Sequence, residues 1–446
     1  MVVAFCQNAV VRFRTSEIAL AVDGAVIGDD VAVVGATHDS RVLVAGQLFV
    51  AIVAERDGHD FVGTAAANGA PAYLSERGAS PSVAATAVLV DSTRDALAAL
   101  GLAARHRLSG AVVGVTGSVG KTSTKDLIAS VLSVSRRTFA SEKSFNNELG
   151  VPLTLINAPD DVAVVVVEMG ARGLGHIAQL CAIARPTIGV VTAIGDAHVE
   201  QFGSVEGVAQ GKGELIEALP DDGVAVLNAG DPRVLAMARR TRAGVVTFGE
   251  GGDVVAHDVV IHDDLTSTFT TKTPWGATDV VLGARGAHNI GNALAAIAVA
   301  GVCGVALEAA VAGLRNPRWS PWRMELHRTR GGAQVINDSY NANPTSMAAA
   351  LRALAAVPAR RHLAVLGVMA ELGPAGEAQH RAVRELATSL GIEVLAVAAA
   401  AYGGAGVGSV DEALDRIGEP GADDAILVKG SRVAGLDVLA ARLLER

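Results

Sequence analysis

The spacing of apolar residues changes character three times along the chain. Between about 31 and 90, short apolar runs such as QLFVAI (47–52) and AYL (72–74) alternate with turn-rich segments such as DGHDF (57–61), which predicts a small mixed α/β domain. Residues 91–106 (DSTRDALAALGLAARH) then carry apolar positions at helical spacing behind an Asp or Ser cap. They predict a connecting helix and a boundary near residue 108.

Beyond that boundary, apolar strands alternate with helices: AVVGV (111–115), a helix over 121–134, VAVVVVE (162–168), a helix around 177–184, TIGVVTAI (187–194) and GVAVLN (223–228). Strands without a polar face belong in a buried, mostly parallel sheet. Residues 253–283 interrupt this with TSTFTTKT and TDVVL, which predict antiparallel strands inserted before a helix at 290–302. From about Arg315 a third α/β unit starts: AQVINDSY, a helix from Ser346, HLAVLG (362–367), a helix around 378–390, EVLAVA, and DAILVKG (424–430).

Half of the 446 residues are hydrophobic and only 19% are charged, so each unit can bury a core and global disorder is excluded. Acidic residues outnumber basic ones 46 to 37, a net charge of −9, which argues against a nucleic-acid partner. Cys6, Cys181 and Cys303 are too scattered for a CxxC motif, and an odd number does not suggest a disulfide framework, so a cytoplasmic location is expected. The N-terminus, MVVAFCQNAVVRFRT, lacks the pattern of an export signal. The apolar stretches fall short of the roughly 20 residues that span a bilayer, so no integral membrane contact is expected. Only six basic residues are lysines, at 121, 125, 143, 212, 272 and 429. A lysine kept against that bias favours chemistry that needs a primary amine, which guanidinium cannot supply.

The strongest local signal is GVTGSVGKTSTK (114–125), between a buried strand and a helix. It reads as a phosphate-binding loop: Gly117 and Gly120 let backbone N–H groups close on phosphate oxygens, Lys121 reaches the outer phosphates, and the Thr122 hydroxyl suits Mg2+. The strict pattern needs Gly at 115; Val115 makes this the tighter TGxxGKT form. Glu168 ends a buried strand at the sheet's carboxyl edge, where it suits Mg2+ or serves as a solvated strand end. His198 lies just past the next strand and Lys212 near the start of a helix, each ordinary by itself. Asn289 and Asn292 share one helical face, able to read an adenine edge or to cap the helix. Arg323 offers a planar fork suited to phosphate, Asp338 precedes an Asn-Pro turn, and Trp319 and Trp322 suit packing better than stacking.

In this order TGSVGKTSTK, NNELGVPLTL, EMGARGLGHI, AHVEQFGS, KGELIEAL, GAHNIGNALAA, RMELH and NDSYNANP, the chain resembles the Mur ligase family over most of its length. NDSYNANP, LGVMAELG (366–373) and KGSR (429–432) are similar to the members that add D-alanyl-D-alanine to UDP-N-acetylmuramoyl-tripeptide in peptidoglycan synthesis. DSR (39–41), with QLFVAI and DGHDF, is similar to their UDP-binding domain.

The resemblance implies an α/β protein of three domains: a UDP-sugar-binding domain at 1–108, a P-loop-type ATP-binding domain at 109–315, and a Rossmann-like domain at 316–446. It implies that Thr116, Gly117, Ser118, Val119, Gly120, Lys121, Thr122 and Ser123 hold the phosphates of ATP. Thr122 and Glu168 would hold one Mg2+, and Glu168, His198 and Lys212 a second, with Lys212 carbamylated by CO2. Asn289 and Asn292 would lie on the adenine side, Arg323 at the γ-phosphate and Asp338 at the ribose. Ser40 and Arg41 would contact the UDP-sugar, and Tyr340, Asn341 and Asn343 the dipeptide. Lys121, Glu168, His198, Lys212 and Arg323 are the implied catalytic set, acting in a monomer. The implied chemistry is transfer of the γ-phosphoryl group to the tripeptide carboxylate, giving an acyl phosphate that the amine of D-alanyl-D-alanine attacks.

The chain departs from the family pattern at Ala54, where a glycine is expected, at Gly230, where Asp is expected, and at Thr345, where an acidic residue is usual. These touch the UDP pocket and the dipeptide site. A sister ligase with another amino substrate, or a folylpolyglutamate-type enzyme, would share the ATP core; NDSYNANP favours the dipeptide-adding members. A non-catalytic scaffold would have lost Glu168, His198 or Lys212, and all three are present.

Overall fold

A computed structural model describes residues 12–142, 145–195, 199–404 and 406–446. The chain forms three α/β domains, each around its own sheet. In the N-terminal sheet the strand order is Ala25–Ile27, Thr86–Leu89, Ala72–Ser75, Leu48–Val50, Ala36–Thr37. All neighbours run parallel except the first pair. Arg12–Arg14 pairs antiparallel with Ala32–Val34 beside it.

The connecting helix is Thr93–Arg107, and its cap is Ser92, whose side chain accepts from the Asp95 N–H. Arg105 and Arg107 stand in its last turn, where cations suit the negative end of the helix dipole.

The central sheet has six parallel strands in the order Gly244–Phe248, Val224–Asn228, Ile188–Val191, Ala111–Thr116, Val164–Glu168, Thr138–Ala140. Their alternate residues feed two cores. Val113, Val115, Val164 and Val166 pack under the helices Lys121–Ser133 and His288–Val302. Val112, Val165 and Val167 pack under Thr93–Arg107, Gly150–Ile156, His176–Ala184 and Val205–Glu217. Burial on both faces is why these strands carry no polar alternation. The strand Ala111–Thr116 lies between Ile188–Val191 and Val164–Glu168, so its carboxyl end opens where the chain's connections diverge to opposite sides, the ligand crevice of open α/β sheets.

The inserted antiparallel strands are Val255–Ile261, Ser267–Thr273 and Gly276–Leu282, with a register shift between His257 and Val260. The C-terminal sheet runs Glu325–Arg328, Gln334–Asn337, Asp424–Lys429, Arg361–Leu366, Glu393–Ala396, parallel but for the first pair.

Several details differ from the sequence reading. The helix expected from Ser346 begins at Pro344, because Asn343 and Ser346 form a reciprocal cap and Pro344 occupies the first turn, where its missing N–H costs nothing. The helix expected at 290–302 begins at His288. Lys212 sits in the middle of Val205–Glu217, not near its start, since Ser204 caps that helix earlier. The strand Gly244–Phe248 and the helix Gly150–Ile156 were not predicted. No helix among the described residues is long and apolar enough to cross a membrane.

Candidate active site

The phosphate-binding loop is held from below. Thr116, fully buried, donates through Oγ1 to the Met169 carbonyl at 2.8 Å. The Ser118 N–H donates to the Ala193 carbonyl at 2.8 Å, and Thr192 Oγ1 donates to the Val119 carbonyl at 2.6 Å. Gly117 and Gly120 adopt φ of +146° and +79°. A Cβ on Gly117 would lie 2.0 Å from Thr192 Oγ1, and one on Gly120 would lie 2.7 Å from Asn292 Oδ1, so both positions need glycine for conformation and for space. Lys121 folds back to donate to the Gly117 carbonyl at 2.8 Å. Burial pushes its pKa down; Glu168 opposes this and Arg323 adds to it.

Asn292 explains the close packing at Gly120. Its Oδ1 accepts from Thr124 Oγ1 at 3.1 Å, and its Nδ2 donates to Asn289 Oδ1 at 2.8 Å. Asn289 in turn donates to the Arg285 carbonyl at 2.7 Å. The two amides thus tie the helix His288–Val302 to the loop, while both also line the cleft above it.

Glu168, 1% exposed, accepts at Oε2 from the Thr122 hydroxyl at 2.7 Å and at Oε1 from Asn146 Nδ2 at 2.8 Å. The pair of a loop hydroxyl and a strand-end carboxylate is the donor set that suits Mg2+ together with phosphate oxygens. Behind it, Lys212 is fully buried and its Nζ has no hydrogen-bond partner. Burial pushes its pKa down to about 7, reinforced by the charge of Lys121. Among the described residues no group of three or more His, Cys, Asp and Glu side chains could hold a metal ion. His198 lies outside the described residues.

The C-terminal domain closes the other side. Arg323 Nη2 donates to Thr122 Oγ1 at 2.9 Å, its guanidinium lies 4.3 Å from the centre of the Tyr340 ring, and its buried Nε has no partner. The Ser320 N–H donates to Asp126 Oδ2 at 2.8 Å, pinning the linker to the helix that follows the loop. Asp338 accepts from the Met324 N–H at 3.2 Å and from Lys429 Nζ at 2.5 Å, and Lys429 also donates to the Asn341 carbonyl at 2.9 Å. Between the two domains is a cleft of about 620 Å³.

The Mur ligase middle domain family matches residues 115–300, and the Mur ligase, glutamate ligase domain family matches residues 322–432. The chain is 39% identical to the UDP-N-acetylmuramoyl-tripeptide–D-alanyl-D-alanine ligase of Mycobacterium tuberculosis, with 91% of each chain covered. It belongs to the Mur ligase family. Among solved Mur ligases, it superposes with TM-score 0.86 and 29% identity on the Acinetobacter baumannii UDP-N-acetylmuramoylalanyl-D-glutamyl-2,6-diaminopimelate–D-alanyl-D-alanyl ligase, covering 98% of this chain and 99% of that one. It also matches a MurF ligase of Thermotoga maritima solved with ADP, at TM-score 0.77 and 28% identity, covering 92% and 96%.

In this Mur ligase the cleft gathers most residues singled out from sequence. Ser118, Val119, Gly120, Lys121, Thr122 and Ser123 line it, as do Glu168, Asn289 and Asn292. From the C-terminal domain come Arg323, Asp338, Tyr340, Asn341 and Asn343. Asn343 spends its Oδ1 on the Ser346 N–H at 2.9 Å. Thr116 and Gly117 do not line the cleft, and Lys212 is enclosed behind it. Ser40 and Arg41 lie elsewhere, in the N-terminal domain: the Ser40 carbonyl accepts from Asn68 Nδ2 at 2.8 Å, and Arg41 is paired with Asp39 at 2.7 Å. Sequence reasoning missed Asn146 as the partner of Glu168 and Lys429 as the partner of Asp338. Both sit inside motif segments, NNELG and KGSR, which mark them without giving their contacts.

Proposed function

We propose that this Mur ligase joins D-alanyl-D-alanine to UDP-N-acetylmuramoyl-tripeptide with ATP, giving the pentapeptide, ADP and phosphate. The observation that carries this reading is the Arg323–Thr122 contact. It sets a C-terminal guanidinium, with a buried and unpartnered Nε, against the loop that takes the phosphates. A buried N–H left unpaired is costly, and an anionic ligand satisfies it.

The division of labour follows the domains, 1–108 for the UDP-sugar through Ser40 and Arg41, 109–315 for ATP, and 316–446 for the dipeptide through Tyr340, Asn341 and Asn343. The loop amides and Lys121 bind the β- and γ-phosphates, Arg323 the γ-phosphate, Asp338 the ribose, and Asn289 and Asn292 the adenine side. Thr122 and Glu168 fit a Mg2+ ion by their donor chemistry, and bound Mg2+ supplies charge compensation at the phosphoryl group. Lys212 fits carbamylation: its buried, unpartnered Nζ, with a pKa of about 7, can lose a proton, form a C–N bond to CO2 and release a second proton to leave a carbamate. The resulting anion, with Glu168 and His198, would serve a second Mg2+ ion.

A carboxylate cannot be attacked by an amine until one oxygen becomes a leaving group. An oxygen of the tripeptide carboxylate forms a bond to the γ-phosphorus as the bond to ADP breaks, while Lys121 and Arg323 offset the charge. The neutral amine of D-alanyl-D-alanine then attacks the acyl carbon. The C–N bond forms, phosphate departs with the C–O electron pair, and the amine's proton is released. Closure of the C-terminal domain over the cleft keeps water from the acyl phosphate. One chain supplies every residue invoked, so a monomer suffices. ATP and a UDP-linked peptide are cytoplasmic metabolites, so the reaction is assigned to the cytoplasm.

The test is phosphate release from ATP with UDP-N-acetylmuramoyl-tripeptide, with and without D-alanyl-D-alanine, and the mass of the product. Release that needs both substrates and yields the pentapeptide supports the reading. Turnover with a different amine only would make the protein a sister ligase.

A further inference from the structure

Five Lys and Arg residues line the cleft among the described residues, and four are engaged within the protein. Lys121 donates to Gly117, Arg323 to Thr122 and Lys429 to Asp338. Arg432 pairs with Asp437 at 2.6 Å and lies over Trp322. The fifth, Arg172, is exposed, and its guanidinium makes no ion pair or hydrogen bond among the described residues.

Its backbone is fixed. The Arg172 N–H donates to His176 Nδ1 at 3.3 Å, and two residues earlier the Gly170 N–H donates to the Asn146 carbonyl at 2.7 Å. Glu214 accepts from the N–H groups of Gly175 and Ala178 at 2.6 and 3.0 Å. Arg172 therefore extends from a rigid loop just after Glu168. The neighbouring 145–148 segment reaches the N-terminal domain, through Phe145 against His38 and through the Glu148–Arg94 ion pair at 3.6 Å. The loop therefore lies beside the segment that links the N-terminal domain to Glu168.

We infer that Arg172 receives a non-reacting carboxylate of the peptide acceptor, and so positions the reacting carboxylate at the phosphates. This rests on the proposed reaction. In an acceptor built as alanyl-D-glutamyl-2,6-diaminopimelate, the glutamyl residue keeps one free carboxylate, and the diaminopimelate keeps one beside the carboxylate that reacts. Either is a planar acceptor for a guanidinium fork, and an unpaired guanidinium at the cleft rim is where such an acceptor gains two charge-assisted hydrogen bonds.

The experiment compares wild type with Arg172→Gln and Arg172→Lys. It uses three acceptors: the tripeptide, its glutamyl amide, and its amide at the distal diaminopimelate carboxylate. KM and kcat are read by phosphate release, and Kd by calorimetry. Arg172→Gln is expected to raise KM and Kd for the tripeptide about 10- to 100-fold, with ATP affinity and melting temperature unchanged. Arg172→Lys should recover part of the loss. One of the two amides should cost wild type a similar factor and cost Arg172→Gln almost nothing, and which one identifies the carboxylate. A tripeptide Kd within twofold of wild type, or amide penalties undiminished in Arg172→Gln, overturns the inference. If wild type binds the tripeptide but does not use D-alanyl-D-alanine, the proposed reaction fails while the Kd comparison still decides the role of Arg172. A wild type that binds no tripeptide sinks both.

Discussion

Arg323 reaches across from the C-terminal domain to donate to the Thr122 hydroxyl, which itself donates to Glu168. The residue proposed for Mg2+ and the residue proposed for the γ-phosphate are therefore in contact before any ligand is considered. Under the proposed assignments, bound nucleotide would replace this contact with phosphate oxygens, and the atoms that join the two domains would also read the nucleotide.

Arg323→Ala is expected to lower kcat/KM for ATP about 10²- to 10³-fold, the usual loss for one donor to a transferring group. ADP affinity should change far less, because ADP lacks the γ-phosphate. Nucleotide titration by calorimetry beside steady-state kinetics checks the split; equal losses for ATP and ADP would contradict the γ-phosphate assignment.

Lys212→Ala should reduce turnover at least about 100-fold, with partial recovery on adding a short carboxylic acid that fills the space of the missing carbamate. Normal activity in this variant would remove Lys212 from the mechanism. In CO2-depleted buffer Lys212 also carries a pH signature. Its pKa is about 7 in the folded chain against an ordinary 10.5, so between those values the unfolded chain binds the extra proton and stability rises with pH. Below about 7 the cost of burying the ammonium is present in full. Lys212→Met should therefore raise the unfolding midpoint at pH 6.5, with the advantage shrinking towards pH 10. Calorimetric scans across that range test the sign.

Gly117→Ala forces a Cβ to 2.0 Å from Thr192 Oγ1 at a φ of +146°. The expected result is a loss of about 1–3 kcal/mol in stability together with loss of ATP binding, seen by urea unfolding and nucleotide titration. Unaltered nucleotide affinity would mean that the loop tolerates displacement.

Lys429 is 2% exposed and its partner Asp338 is largely buried. Lys429→Met leaves that carboxylate without its cation and should cost about 3–5 kcal/mol. Adding Asp338→Asn should restore part of the stability while ATP affinity stays impaired. Denaturant midpoints of the single and double variants measure this coupling.

The sequence made most of the central sheet and the loop visible because their signals are local: an unbroken apolar strand, glycines, and a helix within a dozen residues. Long-range partnerships left no such trace. Asn146 meets Glu168 from 22 positions away, and Lys429 meets Asp338 from 91. The helix Gly150–Ile156 was hidden by Pro152, which is tolerated only because it lies in the first turn. The strand Gly244–Phe248 was hidden because it is the sheet's edge, with Val245 39% exposed. The sequence marks Asn289 and Asn292 as a pair on one helical face, but only the fold reveals that they also brace Thr124 and Gly120.

In the proposed reaction, ATP activates the acceptor carboxylate in this cleft. The most direct measurement labels that carboxylate of UDP-N-acetylmuramoyl-tripeptide with ¹⁸O, runs the reaction with ATP and D-alanyl-D-alanine, and determines the mass of the released phosphate. An acyl phosphate requires one ¹⁸O to be carried from the peptide into each phosphate formed. Pentapeptide formed alongside unlabelled phosphate would rule out an acyl phosphate.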